Sequence, residues 1–543
     1  MIEIDRLQRK RYLRTCRLLV LLCLAAAAFY LRWLLFDAKP SSLPLFYLLV
    51  GAELFNMFQA SGFWYTIWAQ RWTEPATPAF DESGEAVDVF ITVCNEPVDV
   101  VEQTVWGATR IQHPRSRVFL LDDGPSSAVR ELAEEYGVGY IARSNRDGAK
   151  AGNINNALRN TSGDFVAMFD ADHVPKPEFL KKTMGGFEDE RVAFVQTPQW
   201  YRNVASNRVA AGAQDQQNLF YGPILRGKDS SNAIFSCGTN VVFRRSALEE
   251  IGGLPEDSIT EDLRVSLLLI QHGYHGLYVP IILAEGLGPM DVGSYFNQQM
   301  RWARGGFEIL FRKRPFRRTL SFRQAFQYWL SFIYWFTGWA YAGYLLLPVF
   351  FLAFGLKPVQ TPNQYPVFFL PYVFVTLLTM AYASNFQLRF RGLWFTLASF
   401  PIHLAAPLAA LGGRAARFVI TSKSVSNRSL RPVALHIFVL AALVSCVALG
   451  LARRGGGPSV VNNIAFALGH VLVLQGFVRL ALNPGMPERE GKGEPETVAE
   501  TPRLVPGAAE GSGLLTSRVR TRAEGLAGLG SGPTVPGARV DDE

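Results

Sequence analysis

Long apolar stretches at both ends of the chain constrain this sequence more than any other feature. Leu18 to Phe36 is apolar except for Arg32, and Leu43 to Trp68 carries Glu53 and Asn56 as polar intruders. About 20 residues of helix, rising about 1.5 Å each, cross the roughly 30 Å core of a bilayer. Both stretches are long enough. Apolar character returns in Tyr328 to Leu356, Val367 to Ala383, Val433 to Leu451 and Val460 to Leu482. Composition points the same way. Hydrophobic residues make up 49% of the chain and charged residues only 18%, against about 25% charged in a typical soluble domain. These values exclude a wholly soluble protein and a wholly disordered one.

Charge sets the direction. Arg6, Arg9, Lys10, Arg11, Arg14 and Arg17 precede the first apolar stretch. A cleaved secretory signal has a shorter apolar core and a small-residue cleavage site. Tyr30, Arg32 and Trp33 stand where that site would fall, so the stretch reads as an anchor. The positive-inside rule then predicts a cytoplasmic N-terminus. Leu393 to Leu411 is also apolar but is broken by Pro401 and Pro407. If it lies flat on the membrane, Arg389, Arg391, Arg414, Arg417, Lys423, Arg428 and Arg431 all stay cytoplasmic, and six spans result. Arg453 and Arg454, which that topology places outside, count against it. Four regions follow: a membrane region of two spans over 1–74, a soluble domain over 75–320, a second membrane region over 321–482, and a tail over 483–543. The tail has no aromatic residue and is rich in Gly, Pro, Glu and Arg. It is predicted to be disordered because it has too little apolar surface to offset chain entropy. Five Cys in 543 residues exclude a disulfide scaffold, and with no C-x-x-C and no metal-site spacing among the seven His a structural zinc is not expected. The net charge of +8 clusters at membrane edges, so a nucleic-acid partner is not expected.

The soluble middle reads as α/β. Val87 to Val93, Arg117 to Leu121 and Phe165 to Phe169 are short apolar runs of the kind buried in parallel sheets. Helical patterns over Val100 to Arg110 and Ser126 to Tyr136 alternate with them. Ligands in such sheets bind beyond the carboxyl ends of strands. Thr92 to Glu96, Asp122-Asp123, and Asp170 with Asp172 fall there. Two carboxylates one residue apart suit Mg²⁺, which takes few protein ligands and completes its shell with water and phosphate oxygens. Thr260 reads as a helix N-cap with Glu261 and Asp262 in the first turn, or Asp262 is a general base. A helix start would keep Asp262 ionised at neutral pH. Gln298, Arg301 and Trp302 precede a basic stretch just before the membrane segments resume. They suit either a lipid interface or a phosphate and a sugar ring.

In order, the chain carries Asp122-Asp123-Gly124, Lys150-Ala-Gly-Asn153, Asp170-Ala-Asp172, Gln196-Thr-Pro198, Thr260-Glu-Asp262 and Gln298-x-x-Arg301-Trp302, followed by Phe418-Val-Ile-Thr421-Ser-Lys423. That series resembles the processive family 2 glycosyltransferases, most closely bacterial cellulose synthase catalytic subunits. The resemblance covers roughly residues 75 to 482. It implies an α/β GT-A (Rossmann-like) domain in the cytoplasm, inserted between transmembrane helices of a multi-pass protein of the inner or plasma membrane. It implies UDP-glucose as donor, Mg²⁺ or Mn²⁺ as cofactor, and a growing polysaccharide as acceptor. By position, Thr92, Glu96, Asp122 and Asp123 would contact the uridine and Lys150 the diphosphate. Asp170 and Asp172 would hold the metal with that diphosphate. Asp262, beside Glu261, would be the base. Gln298, Arg301 and Trp302 would bind the acceptor end and pyrophosphate, near Cys237, and Phe418, Thr421 and Lys423 would close over UDP.

Two departures accompany the match. The tail is too short and polar for the PilZ barrel typical of those synthases, so direct cyclic-di-GMP binding is not expected. The N-terminal span count is also lower. The expected product is β-1,4-glucan. β-1,3-glucan, mixed-linkage glucan and an N-acetylglucosamine polymer are the alternatives, and accessory export subunits are left open. A non-catalytic membrane scaffold is the reading from a different class, and intact acidic motifs count against it.

Overall fold

Alternation along one strand organises the soluble domain. Val87, Val89, Ile91 and Val93 pack into one apolar cluster, while Phe90 packs into a second on the opposite face. Side chains of a strand point alternately to its two faces, so the strand is buried on both. The computed structural model describes residues 6–71, 84–313, 315–316, 319–361, 364–412 and 429–483. Within them the strands are β1 (Val87–Val93), β2 (Ser116–Asp122), β3 (Gly139–Ala142), β4 (Phe165–Asp170), β5 (Val174–Pro175), β6 (Val192–Gln196), β7 (Val241–Arg244), β8 (His275–Tyr278) and β9 (Ala284–Glu285). Seven form one sheet in the order β3-β2-β1-β4-β7-β6-β8, while β5 and β9 pair separately.

The expected parallel sheet is present with one exception. β1 runs parallel to β2 and β4, β2 to β3, and β6 to β8, but β7 is antiparallel to both its neighbours. Val241, the first residue of β7, pairs with Met168 near the end of β4 and with Gln196 at the end of β6. The segment leading into β7 therefore enters at the carboxyl edge of the parallel strands, and Cys237 to Asn240 arrive where a ligand is expected. Ser126 occupies the N-cap position of the Ser127–Tyr136 helix without a side-chain cap; its N–H bonds Asp122 instead.

Among the described residues, six helices or helix runs are long and apolar enough to cross a membrane: Gln8–Asp37, Leu43–Ala69, Phe322–Phe354, Tyr365–Ala383, Arg431–Arg454 and Pro458–Leu482. The third passes through a 3-10 turn at Tyr334–Phe336. The proline-broken piece forms Phe390–Ala398 and Phe400–Leu411, bent by 42° at the break. Each half is too short for a bilayer core, and both dock on the soluble domain. Arg391 Nε pairs with Asp215 Oδ2 at 2.8 Å, and Phe395 packs where Gly212 leaves room. Ile402 and Ala406 pack with Ala303 and Phe307. Arg454 has a local partner in the carbonyl of Leu352, 3.3 Å from its Nε, near the end of the Thr337–Phe354 helix. The tail beyond residue 483 lies outside the described residues.

Candidate active site

The ends of four strands and three helices converge on one open cleft. β1 and its loop bring Thr92, Cys94 and Glu96, β4 brings Asp170 and Asp172, and the lead-in to β7 brings Cys237 and Gly238. The Glu261–Gln271 helix brings Glu261 and Asp262. The Val292–Arg312 helix brings Gln298, Arg301 and Trp302, whose three- and four-residue spacing puts them on one helix face. Asp291 caps that helix by accepting the N–H of Ser294 at 2.7 Å.

Lys150 lies at the centre. Its Nζ pairs with Asp170 Oδ1 and donates to the carbonyl of Gly238 at 2.7 Å. Burial alone would lower its pKa, but Asp170, Glu261 and Asp262 outweigh burial and hold it above the ordinary lysine value. Gly238 has a φ of 77°, and a Cβ there would lie 3.3 Å from Asp262 Oδ2. Glycine thus supplies both the left-handed backbone and the close approach. The loop is fastened by Gln196, whose Oε1 accepts the Cys237 N–H and whose Nε2 donates to the Thr239 carbonyl.

Asp262 departs from expectation in its charge. Burial, reinforced by Glu261, pushes its pKa up to about 7, while the Leu263 N–H, Lys150 and Arg301 pull the other way. The dipole of a helix start does not offset desolvation here. The N-cap expectation also fails in detail. Thr260 makes no side-chain capping bond and packs against Gly305, where a Cβ would fall 2.3 Å from its Cγ2. Burial likewise raises the pKa of Glu96, although its carboxylate accepts the Cys94 N–H at 2.5 Å.

Asp172 is buried, and its Oδ2 accepts the N–H of Leu287 at 3.0 Å. Asp123 faces the cleft and is held by Arg143 Nε at 2.5 Å. Asp122 does not line the cleft. Its carboxylate accepts the Gly124 and Ser126 N–H groups, each at 2.8 Å, and the Tyr140 hydroxyl at 2.9 Å. It shapes the turn that presents Asp123 rather than the ligand site. Phe418, Thr421 and Lys423 lie outside the described residues. Sequence reasoning missed Arg143, His173, Gln199 and Tyr201, of which the last three line the cleft. His173 and Gln199 directly follow quoted motifs, and that adjacency was the available signal.

Comparisons with known proteins agree with this geometry. Residues 165–444, about half the chain, match the family model Glycosyl transferase family group 2. The cellulose synthase catalytic subunit [UDP-forming] of Pseudomonas fluorescens (strain SBW25) is 34% identical over 390 residues, 69% of this chain and 52% of that protein. The protein of the same name from Xanthomonas axonopodis pv. citri (strain 306) is 38% identical over 272 residues, 48% of this chain and 37% of that protein. The chain thus spans about half or less of the length of these relatives. Among solved structures, a mannosyltransferase from Pyrobaculum calidifontis in complex with GDP-Man and Mn²⁺ superposes with a TM-score of 0.50 at 16% identity, covering 68% of this chain and 99% of that one. That likeness bears on the fold alone, a GT-A arrangement, and with the family match it shows that the chain belongs to Glycosyl transferase family group 2.

Proposed function

We propose that this protein is a membrane-embedded, processive, inverting glycosyltransferase that builds β-1,4-glucan from UDP-glucose and passes the polymer across the membrane. One observation carries the reading: Asp262, Lys150 and the Gly238 loop meet Gln298, Arg301 and Trp302 in one cleft. The names of the relatives supply the product and the nucleotide. The regions 1–74, 75–320, 321–482 and 483–543 are then a two-span anchor, the catalytic domain, the export region and a tail, with the catalytic domain cytoplasmic.

The acceptor hydroxyl is a poor nucleophile and needs a base. Asp262 takes its proton as the oxygen attacks the anomeric carbon. The bond from that carbon to the diphosphate breaks, and UDP leaves with the electron pair. One displacement inverts the configuration, so an α-linked donor gives a β-linked product. A carboxylate with a pKa of about 7 is matched to neutral pH. Lys150 and Arg301 face the charge that develops on the leaving group. Trp302 offers a ring for the acceptor sugar, and Thr92, Glu96 and Asp123 surround the nucleoside.

The cleft also suits a divalent cation. Its lining carries Glu96, Asp123, Asp170, Asp172, Glu261 and Asp262 against Lys150 and Arg301, an excess of negative charge that would repel a diphosphate. Among the described residues no three His, Cys, Asp or Glu form a complete metal site. Asp170 and Asp172 fit Mg²⁺ or Mn²⁺ that takes its remaining ligands from water and the diphosphate. Such an ion supplies charge neutralisation at the leaving group.

Incorporation of radiolabel into polymer by isolated membranes tests the reading, with UDP-glucose set against UDP-N-acetylglucosamine. Label from UDP-glucose in a product degraded by a β-1,4-glucanase is expected. Label only from the N-acetylglucosamine donor, or a product cut only by a β-1,3-glucanase, would replace the assigned polymer.

A further inference from the structure

The first long helix has two faces with different tasks. Tyr12, Cys16, Leu19, Val20 and Cys23 are buried. They recur at helical spacing on one side, where Tyr12 stacks on Tyr382 at 5.8 Å and donates to the Ala383 carbonyl at 2.6 Å. At 100° per residue, Lys10, Arg14 and Arg17 fall on the opposite side, and all three are exposed. Leu21 and Leu24 continue the same stripe, 52% and 47% exposed. The stripe therefore changes from cationic to apolar at about residue 18, with no change of face.

The level of that change is fixed by neighbours. Arg17 lies over the Trp68 ring at 5.8 Å, one residue from the end of the Leu43–Ala69 helix. Thr66 bonds Gln327 in the first turns of the Phe322–Ile333 helix. Phe58 and Tyr65 pack edge-on against Phe326, and Phe322 is 85% exposed beside it. Trp68, with Tyr65 one turn away on its helix, thus lies at the level of Arg17, as aromatic rings do at a membrane interface. Lys10 and Arg17 are seven residue steps apart, about 10 Å of helix, comparable with the roughly 5–8 Å of headgroup region on each side of the core. The sequence from Arg6 to Phe36 contains no Asp or Glu, so no acidic side chain of this helix competes for the stripe.

We propose that Lys10, Arg14 and Arg17, with Trp68, form a binding surface for the phosphate headgroup of an anionic lipid in the leaflet facing the catalytic domain. The occupant is a lipid because the cationic stripe is collinear with exposed leucines, so a headgroup on the cations sets its acyl chains against Leu21 and Leu24. The inference rests on the reading of this helix as a membrane span.

Native mass spectrometry of the full chain, released from nanodiscs of mixed phosphatidylcholine and phosphatidylglycerol, tests it. The parent should retain phosphatidylglycerol preferentially. Each of Lys10→Gln, Arg14→Gln and Arg17→Gln should weaken retention about fivefold, equivalent to about 1 kcal/mol per cation near the surface. The triple variant should lose the preference while still binding UDP, which verifies its fold. Millimolar inorganic phosphate should not displace the lipid; displacement would mean a free-anion site and overturn the assignment. Equal retention of both lipids by the parent, or unchanged retention by the triple variant, would also overturn it. Failure of the parent to enter nanodiscs at all would instead strike the membrane reading.

Discussion

The two ends of strand β1 hold acidic groups in opposite circumstances. At its start, Asp88 is fully buried and every lone pair is used. Oδ1 accepts from Arg117, with Nη2 at 2.9 Å, and Oδ2 accepts from Arg245 Nη2 at 2.8 Å and the Gly163 N–H at 2.7 Å. At its far end, Thr92 and Glu96 open onto a cleft where six carboxylates face two cations. The first arrangement is saturated within the protein and does nothing further. The second is left to be completed by what binds, and burial there, reinforced by neighbouring carboxylates, raises the pKa values of Asp262 and Glu96. Burial and charge density alone do not distinguish a structural acid from a working one; the match between acceptors and donors does.

Substitutions at the two ends should therefore fail differently. Asp262→Asn is expected to lower kcat by about 10²–10⁴-fold, the usual contribution of a general base, with UDP affinity and thermal stability close to the parent. Calorimetry with UDP and polymer synthesis on one preparation measure both. Activity per folded molecule within a few-fold of the parent would move the base elsewhere. Asp88→Ala is expected to do the reverse. It leaves Arg245 buried without its carboxylate, a change that costs about 3–5 kcal/mol, and it should lower the denaturation midpoint in detergent while the folded fraction keeps its specific activity.

How far the sequence revealed this contrast follows from which features are local. β1, β2 and β4 were legible because doubly buried strands are short β-branched runs, and the candidate residues at their ends follow from strand polarity. The six apolar spans were legible for a similar reason. The direction of β7 was not, because Val241 to Arg244 reads the same in either orientation. Yet that direction brings Gly238 and Cys237 to the cleft. Asp122 and Asp123 look equivalent in sequence, and only the turn geometry gives one to the backbone and the other to the site. The pKa of Asp262 is not legible in the sequence, because helix position is local while desolvation is imposed by residues far along the chain.

If Asp262 is the base, it works only when deprotonated, and its pKa is pushed up to about 7. Below that value the active fraction falls about tenfold per pH unit, so kcat should drop between pH 7 and 5 and level off above pH 8. A profile flat down to pH 5 would mean that bound ligand and metal have restored an ordinary carboxylate pKa.

The smallest expected effect concerns Arg143, which gives the cleft end of β1 one feature of the saturated end. Arg143 and Asp123 are each less than a tenth exposed, and the guanidinium also donates to the carbonyls of Asp147 at 2.5 Å and Ala149 at 2.7 Å. One side chain thus fixes a cleft-facing carboxylate and the loop that starts the Ala149–Asn160 helix, which carries Lys150. If Arg143 positions donor-binding groups, Arg143→Lys keeps the charge but loses the planar fork. Losing a hydrogen bond costs about 1 kcal/mol net, so KM for UDP-glucose should rise about fivefold with kcat nearly unchanged, the pattern of lost uniform binding. A purely structural Arg143 would instead lower the denaturation midpoint and leave KM alone. Steady-state kinetics and a thermal scan on the same variant separate the two. A fall in kcat with constant KM would mean that the loop governs the chemical step through Lys150 rather than donor binding through Asp123.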